Sequence, residues 1–147
     1  MPINFGSIFT DMQPDAQLID VDADNETLYG AGVDMEGREG VMFACLIRRG
    51  EEATFTLKAQ QDSASGFGTA ADLKDTGKSI AISTGSDGFG FIEIKNPQER
   101  YVRPALVCPN VGAAKSVAIF AVSYGKKYLP ETNSDGELHV APIEGTA

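Results

Sequence analysis

The chain has 147 residues, 42% of them apolar and 22% charged, which reads as one folded domain of ordinary size and not a disordered segment. Its 12 Lys plus Arg against 21 Asp plus Glu leave a net charge of −9, which disfavours phosphate backbones and anionic lipid, so neither nucleic acid nor membrane is expected as a partner. The start Met1-Pro2-Ile3-Asn4-Phe5 has no basic run and no apolar leader, and no stretch approaches a bilayer-spanning length, so synthesis in a cytoplasm is expected.

Residues 1–26 show no hydrophobic period and close on the acidic run Asp20-Val21-Asp22-Ala23-Asp24-Asn25-Glu26. They read as an extended N-terminal arm anchored by apolar residues such as Ile8, Phe9, Leu18 and Ile19. A strand is expected over Thr27–Met35, where Gly30 and Gly32 suggest an edge or a bulge. Gly40–Ile47 is nearly continuous apolar sequence, fitting a central strand buried on both faces. Ala53–Gln60 alternates cleanly, with Ala53, Phe55, Leu57 and Ala59 on one face and Thr54, Thr56, Lys58 and Gln60 on the other. The short Arg48–Glu52 loop suits a hairpin between these runs.

Gln61–Gly77 is polar and rich in Gly and Ser, with a helical turn expected near Ala70–Leu73. Strands follow at Ser79–Ser83 and Phe89–Lys95, separated by the turn Thr84–Gly88. Arg100–Cys108 places Val102, Pro104, Leu106 and Cys108 on one face; Pro104 donates no ladder hydrogen bond, so an edge or a bulge is expected there. Ser116–Tyr124, apolar on both faces, is expected to be central. Gly125–Ala147 is polar, carries two prolines and reads as a second extended arm. The expected fold is therefore all-β, an antiparallel β-sandwich with a core over 27–125 and arms over 1–26 and 126–147.

Chemistry has little to build on. His139, the only histidine, lies in the C-terminal arm beside no recognisable Ser or Cys nucleophile, and reads as a surface or interface residue. Asp20, Asp22 and Asp24 match the first oxygen positions of a calcium loop, but Asn25 stands where the turn glycine belongs and Ala31 where the bidentate Glu belongs. A solvated acidic linker is the plainer reading. The pairs at Gly30 and Gly32, Gly66 and Gly68, and Gly88 and Gly90 lack a phosphate-loop context and read as turns. A sugar-cleaving carboxylate pair is disfavoured in a chain with no Trp and 8% aromatics. No catalytic residue, cofactor or metal is expected, and the protein is expected not to be an enzyme. Cys45 and Cys108 each sit in an apolar run; buried free thiols are expected over a bridge across the core.

The arms carry spaced apolar residues that solvated tails usually lack: Ile3, Phe5, Ile8 and Phe9 in front, Tyr128, Leu129, Leu138, Val140 and Ile143 behind. Segments of this kind either lie across a neighbouring subunit or cover their own sheet. With His139 and the exposed cations Arg48 and Arg49, they are the candidate interface; Lys126 and Lys127 belong with these cations, while Arg100 and Arg103 are either interface cations or tied to strand neighbours.

The series Gly32–Phe43, Ala53–Ser63 and Arg100-Tyr101-Val102-Arg103, with the tail Ser134–Ala147, resembles small jelly-roll-like head proteins of tailed bacteriophages, the capsid decoration or cement proteins. That resemblance runs through roughly residues 28–147 and implies a homotrimer on the virion exterior, bound to the major capsid protein and tying neighbouring capsomers together. A carbohydrate- or receptor-binding β-sandwich on a phage head or tail is the alternative, since such modules give similar strand patterns.

Overall fold

The computed structural model describes residues 12–21, 26–48, 52–109 and 115–125, with the backbone alone at 12–21 and 115. In chain order the strands are β1 (Met12–Val21), β2 (Thr27–Tyr29), β3 (Val33–Asp34), β4 (Gly40–Arg48), β5 (Ala53–Asp62), β6 (Ala71–Asp72), β7 (Lys78–Ile82), β8 (Gly88–Lys95), β9 (Tyr101–Val107) and β10 (Lys115–Tyr124). There is no helix among the described residues.

The strands form two antiparallel sheets. One has the order β1-β10-β4-β8; the other runs β2-β9-β5-β6, with β3 also on β9 and β7 also on β5. β2 and β3 act as one broken edge, as do β6 and β7, so each sheet is in effect four strands wide. Every successive link except that from β5 to β6–β7 then crosses from one sheet to the other, which is the wrapping of a jelly roll. The chain is an all-β antiparallel sandwich of jelly-roll type.

The period of two decides which side chains fill the space between the sheets. From the first sheet come Val41, Phe43, Cys45 and Ile47 of β4 and Val117, Ile119 and Ala121 of β10. From the second come Phe55, Leu57 and Ala59 of β5 and Val102 and Leu106 of β9. Phe43, Phe55, Ile47, Leu57 and Leu106 are fully enclosed, each contributing roughly 1.5–3 kcal/mol of transfer free energy. The alternation expected of β5 is present, as are the central positions of β4 and β10.

Two local expectations, the hairpin and the helical turn, are corrected, and two that stood open as alternatives are resolved. Arg48–Glu52 closes no hairpin: β4 pairs with β10 and β8, β5 with β9, β7 and β6, so the loop crosses between sheets. Both runs are apolar on the face they bury, and facing layers present the same signal as adjacent strands. β9 is not an edge, since it lies between β5 and the β2–β3 side. Its Pro104 falls where that side is broken between Tyr29 and Val33, and the Pro104 carbonyl accepts from Gly30 N–H at 3.0 Å. A Cβ at Gly30 would lie 2.6 Å from Pro104 Cγ, so glycine lets the break close over the ring. Ala71–Asp72, within the expected helical turn, pairs with Gln60 and Gln61 as a strand. Finally, Met12–Val21, within the region read as an arm, lies along β10 over ten residue pairs from Met12↔Tyr124 to Val21↔Lys115.

Candidate interaction surface

Among the described residues, the outer face of the β1-β10-β4-β8 sheet holds three of the four large apolar side chains left in solvent. Leu46 is 49% exposed, Phe89 57% and Phe91 56%. The pairing register puts them in adjacent rows: Phe120, Ala44 and Phe91 in one, Ala118, Leu46 and Phe89 in the next. Met42 and Val122, half-buried, extend the rows toward Glu93. The two Phe rings are 6.2 Å apart and tilted by 41°, so they pack on each other without covering each other. At these exposures the three large side chains leave on the order of 300 Å² of apolar surface, the size at which a patch on a single subunit usually has a use.

The phenylalanines are outside because glycines are inside. β8 alternates Gly88, Gly90, Ile92 and Ile94 on its inner face with Phe89, Phe91, Glu93 and Lys95 on its outer face. Ile80 and Ile82 of β7 press up under β8: a Cβ at Gly88 would meet Ile82 Cγ1 at 2.7 Å, and one at Gly90 would meet Ile80 Cδ1 at 2.6 Å. The interior on that side is already full. A slip of one residue would drive both rings into it and is closed off.

A charged rim bounds the patch. At the end where β8 stops, Lys95 Nζ lies 2.8 Å from Glu39, and the Tyr124 hydroxyl donates to Glu93. Burial, then that hydrogen bond, raise the Tyr124 hydroxyl above its ordinary range. At the other end Arg48 is exposed, opposite Ser116. An apolar centre with a polar rim is the usual anatomy of a protein contact.

Several other charged groups fasten the fold to itself. Arg100 forks onto Asp34, with Nε 2.9 Å from Oδ1 and Nη2 2.7 Å from Oδ2, and Nη2 also reaches Glu36 at 2.5 Å. This ties β3 to the start of β9 and holds the Asp34 carboxyl below its usual range, the Arg100 hydrogen bond being the largest cause. The open cleft beside it, about 380 Å³ and lined by Met35, Arg38, Pro97 and Glu99 among others, is walled by these paired groups and loop backbone. Arg103 is sandwiched between the rings of Tyr29 at 4.0 Å and Phe67 at 4.6 Å, and donates twice to Gln60 Oε1. Gln60 donates to Asp72 at 2.7 Å, and Lys58 bridges the same carboxylate at 2.6 Å. Of the two readings open for Arg100 and Arg103, tying to strand neighbours is the one observed. Asp62 accepts from the N–H groups of Ala64 and Thr69, pinning the loop that carries Phe67, and those backbone donors lower its carboxyl.

Asp20 lies in β1, paired with Ser116. Asp22, Asp24, Ile3, Phe5, Ile8, Phe9, Arg49, Lys126, Lys127, Tyr128, Leu129, Leu138, His139, Val140 and Ile143 lie outside the described residues. Among the described residues no three His, Cys, Asp or Glu side chains group to hold a metal ion. Cys45 and Cys108 are free and buried, and burial, with Cys108 nearby adding to it, pushes the Cys45 thiol up to about 12. Leu46, Phe89 and Phe91 do not stand out in the sequence as contact residues, because large apolar residues in a strand are ordinarily assigned to the core. The signal was there in Gly88-Phe89-Gly90-Phe91: bulk and no bulk alternating with the pleat.

The class the fold defines is an antiparallel jelly-roll sandwich. No protein-family model matches the sequence, and no curated protein matches it. Among solved structures the chain is similar to one described under Bacillus endospore appendages that form a novel family of disulfide-linked pili, with TM-score 0.45 and 14% identity over 78% of this chain and 88% of that one. It is also similar to the PBSX exported protein XepA, with TM-score 0.47 and 15% identity over 88% of this chain and 44% of that one. At such identities and scores neither likeness bears on what the chain does.

Proposed function

We propose that the protein is a structural virion component that binds the outside of a bacteriophage capsid through the Leu46–Phe89–Phe91 face and stabilises the shell by bridging neighbouring capsid subunits. The observation that carries this reading is an apolar, polar-rimmed sheet face on a sandwich whose own interior is already complete. The sequence resemblance to decoration proteins supplies the partner, the major capsid protein, and the trimeric state. Contacts that exist only when two capsid subunits are correctly juxtaposed stabilise the assembled shell over its parts, by the ordinary linkage of binding to conformation. The acidic surface suits an exterior position, away from packaged nucleic acid.

The test is co-sedimentation of the purified protein with empty, expanded phage capsids, together with mass spectrometry of purified virions. Expected are saturable binding, a copy number near that of the major capsid protein, and loss of binding in Phe89→Ser/Phe91→Ser. Absence from virions, or binding indifferent to that double substitution, refutes the reading. Glycan binding without capsid binding replaces it with the carbohydrate-binding alternative.

A further inference from the structure

Sheet edges are ordinarily blunted, because a row of free N–H and C=O groups recruits another strand. Three of the four sheet edges formed by the described residues follow that rule. β1 carries Pro14, which has no N–H, together with Asp15 and Asp20. The β2–β3 edge is broken into pieces of 3 and 2 residues, and the β6–β7 edge into pieces of 2 and 5. The fourth edge, β8, is different. It runs 8 residues, pairs on one side with β4, and contains no proline and no charge from Gly88 to Ile92. Phe89 and Phe91, more than half exposed, stand beside it.

We propose that β8 pairs antiparallel with β8 of a second copy of this chain about a two-fold axis at Phe91, joining the two four-stranded sheets into one. The charges select both the occupant and the register. A two-fold pairing that keeps outer residues opposite outer residues and centres on Phe91 sets Gly90 opposite Ile92, Phe89 opposite Glu93 and Asp87 opposite Lys95. Both ends then carry an opposite-charge pair, although each chain has a net charge of −9. Lys95 is well exposed and its bond to Glu39 leaves further donors for Asp87 of the second copy. Centring on Gly90 sets Glu93 opposite Asp87, and centring on Ile92 brings Pro97 opposite Asp87 and leaves both charges facing phenylalanine. Only the Phe91 register is electrostatically favourable.

The joined sheet presents two Leu46–Phe89–Phe91 patches side by side. The pairing is read from the edge strand alone, so it stands or falls separately from capsid docking, and it is compatible with a three-fold contact elsewhere on the subunit.

One strand pair and its flanking rings make a small interface, so the expected dissociation constant is on the order of tens of micromolar. Sedimentation velocity of the full chain from about 5 µM to about 1 mM reads it. Phe91→Lys places a charge at the two-fold axis and is expected to halve the assembly's mass. Leu46→Lys, on the same face but in central β4, is expected to leave the association within about twofold. Asp87→Lys sets Lys opposite Lys and Lys95→Asp sets Asp opposite Asp, each weakening association by roughly tenfold; the double exchange restores it. Circular dichroism and thermal melts confirm that each variant is folded. A wild-type chain that does not associate by about 1 mM overturns the proposal. So does association that survives Phe91→Lys, disappears in Leu46→Lys, or is not restored by the charge exchange.

Discussion

The outward placement of Phe89 and Phe91 rests on the claim that Gly90 leaves no spare room beneath it, and Gly90→Ala tests that claim directly. The added Cβ would lie 2.6 Å from both Cγ1 and Cδ1 of Ile80, about 1 Å inside normal carbon contact. Ile80 is 3% exposed and held among Cys45, Phe55, Leu57 and Ile82, so it has little room to retreat. Overpacking of this kind costs roughly 1–3 kcal/mol, while removing a strand glycine returns about 0.5–1 kcal/mol. The expected net loss is about 1–2 kcal/mol. Ile80→Ala alone deletes both carbons that the new methyl would strike and costs about 2–5 kcal/mol. Together the two changes relieve each other: the Gly90→Ala methyl occupies space that Ile80 gave up, so the double variant is expected no less stable than Ile80→Ala alone and not at the sum of about 3–7 kcal/mol. Urea unfolding followed by circular dichroism or tyrosine emission measures all four corners, since the chain has no Trp. Additivity within about 0.3–0.5 kcal/mol, or a stabilising Gly90→Ala, refutes the argument that a filled interior sets the direction of the phenylalanines.

The remaining predictions concern the groups that fasten the fold. Asp34, Asp62 and Asp72 are lowered chiefly by Arg100, by the backbone N–H groups of Ala64 and Thr69, and by Lys58 respectively. Each binds its proton more readily unfolded than folded, so their stabilisation is fully present above the unfolded value near pH 4 and is lost as pH falls through the lower folded values. Urea midpoints between pH 2 and 6 are expected to show that acid limb, and Asp62→Asn to flatten it while speeding hydrogen exchange at Ala64 and Thr69. Arg103→Lys keeps the charge but loses the flat group between Tyr29 and Phe67 and the double donation to Gln60; a loss of about 1–2 kcal/mol is expected by thermal melting. Cys45, raised to about 12 by burial, and the equally buried Cys108 are expected to resist iodoacetamide at pH 8 in the native protein and to react at once in denaturant. Rapid native labelling would show that the core opens.

Strand positions were legible in this sequence where one face is buried and the other wet. β5 is the clear case, because Ala53, Phe55, Leu57 and Ala59 are inside and Thr54, Thr56, Lys58 and Gln60 alternate with them. Which sheet each strand joins was not legible. The period of two records burial and carries no information on whether the apolar partner is beside a strand or across from it, so β4 and β5 looked like a hairpin. β1 went unread for a related reason. An edge strand containing Pro14, Asp15 and Asp20 departs from strand composition because blunting an edge calls for those residues. The same logic applies to β8 in reverse. Its composition breaks the pattern by putting aromatic residues where water should be and leaving charge off the first five residues, Gly88 to Ile92, of an eight-residue edge. Gly88 and Gly90 show that this placement is enforced from inside by Ile80 and Ile82. Two phenylalanine rings held in solvent leave apolar surface uncovered on the single subunit. The proposed capsid docking and the proposed β8 pairing would each cover it, and loss of either contact on substitution of Phe89 or Phe91 would locate the working surface on the side of the sandwich where β8 ends the sheet.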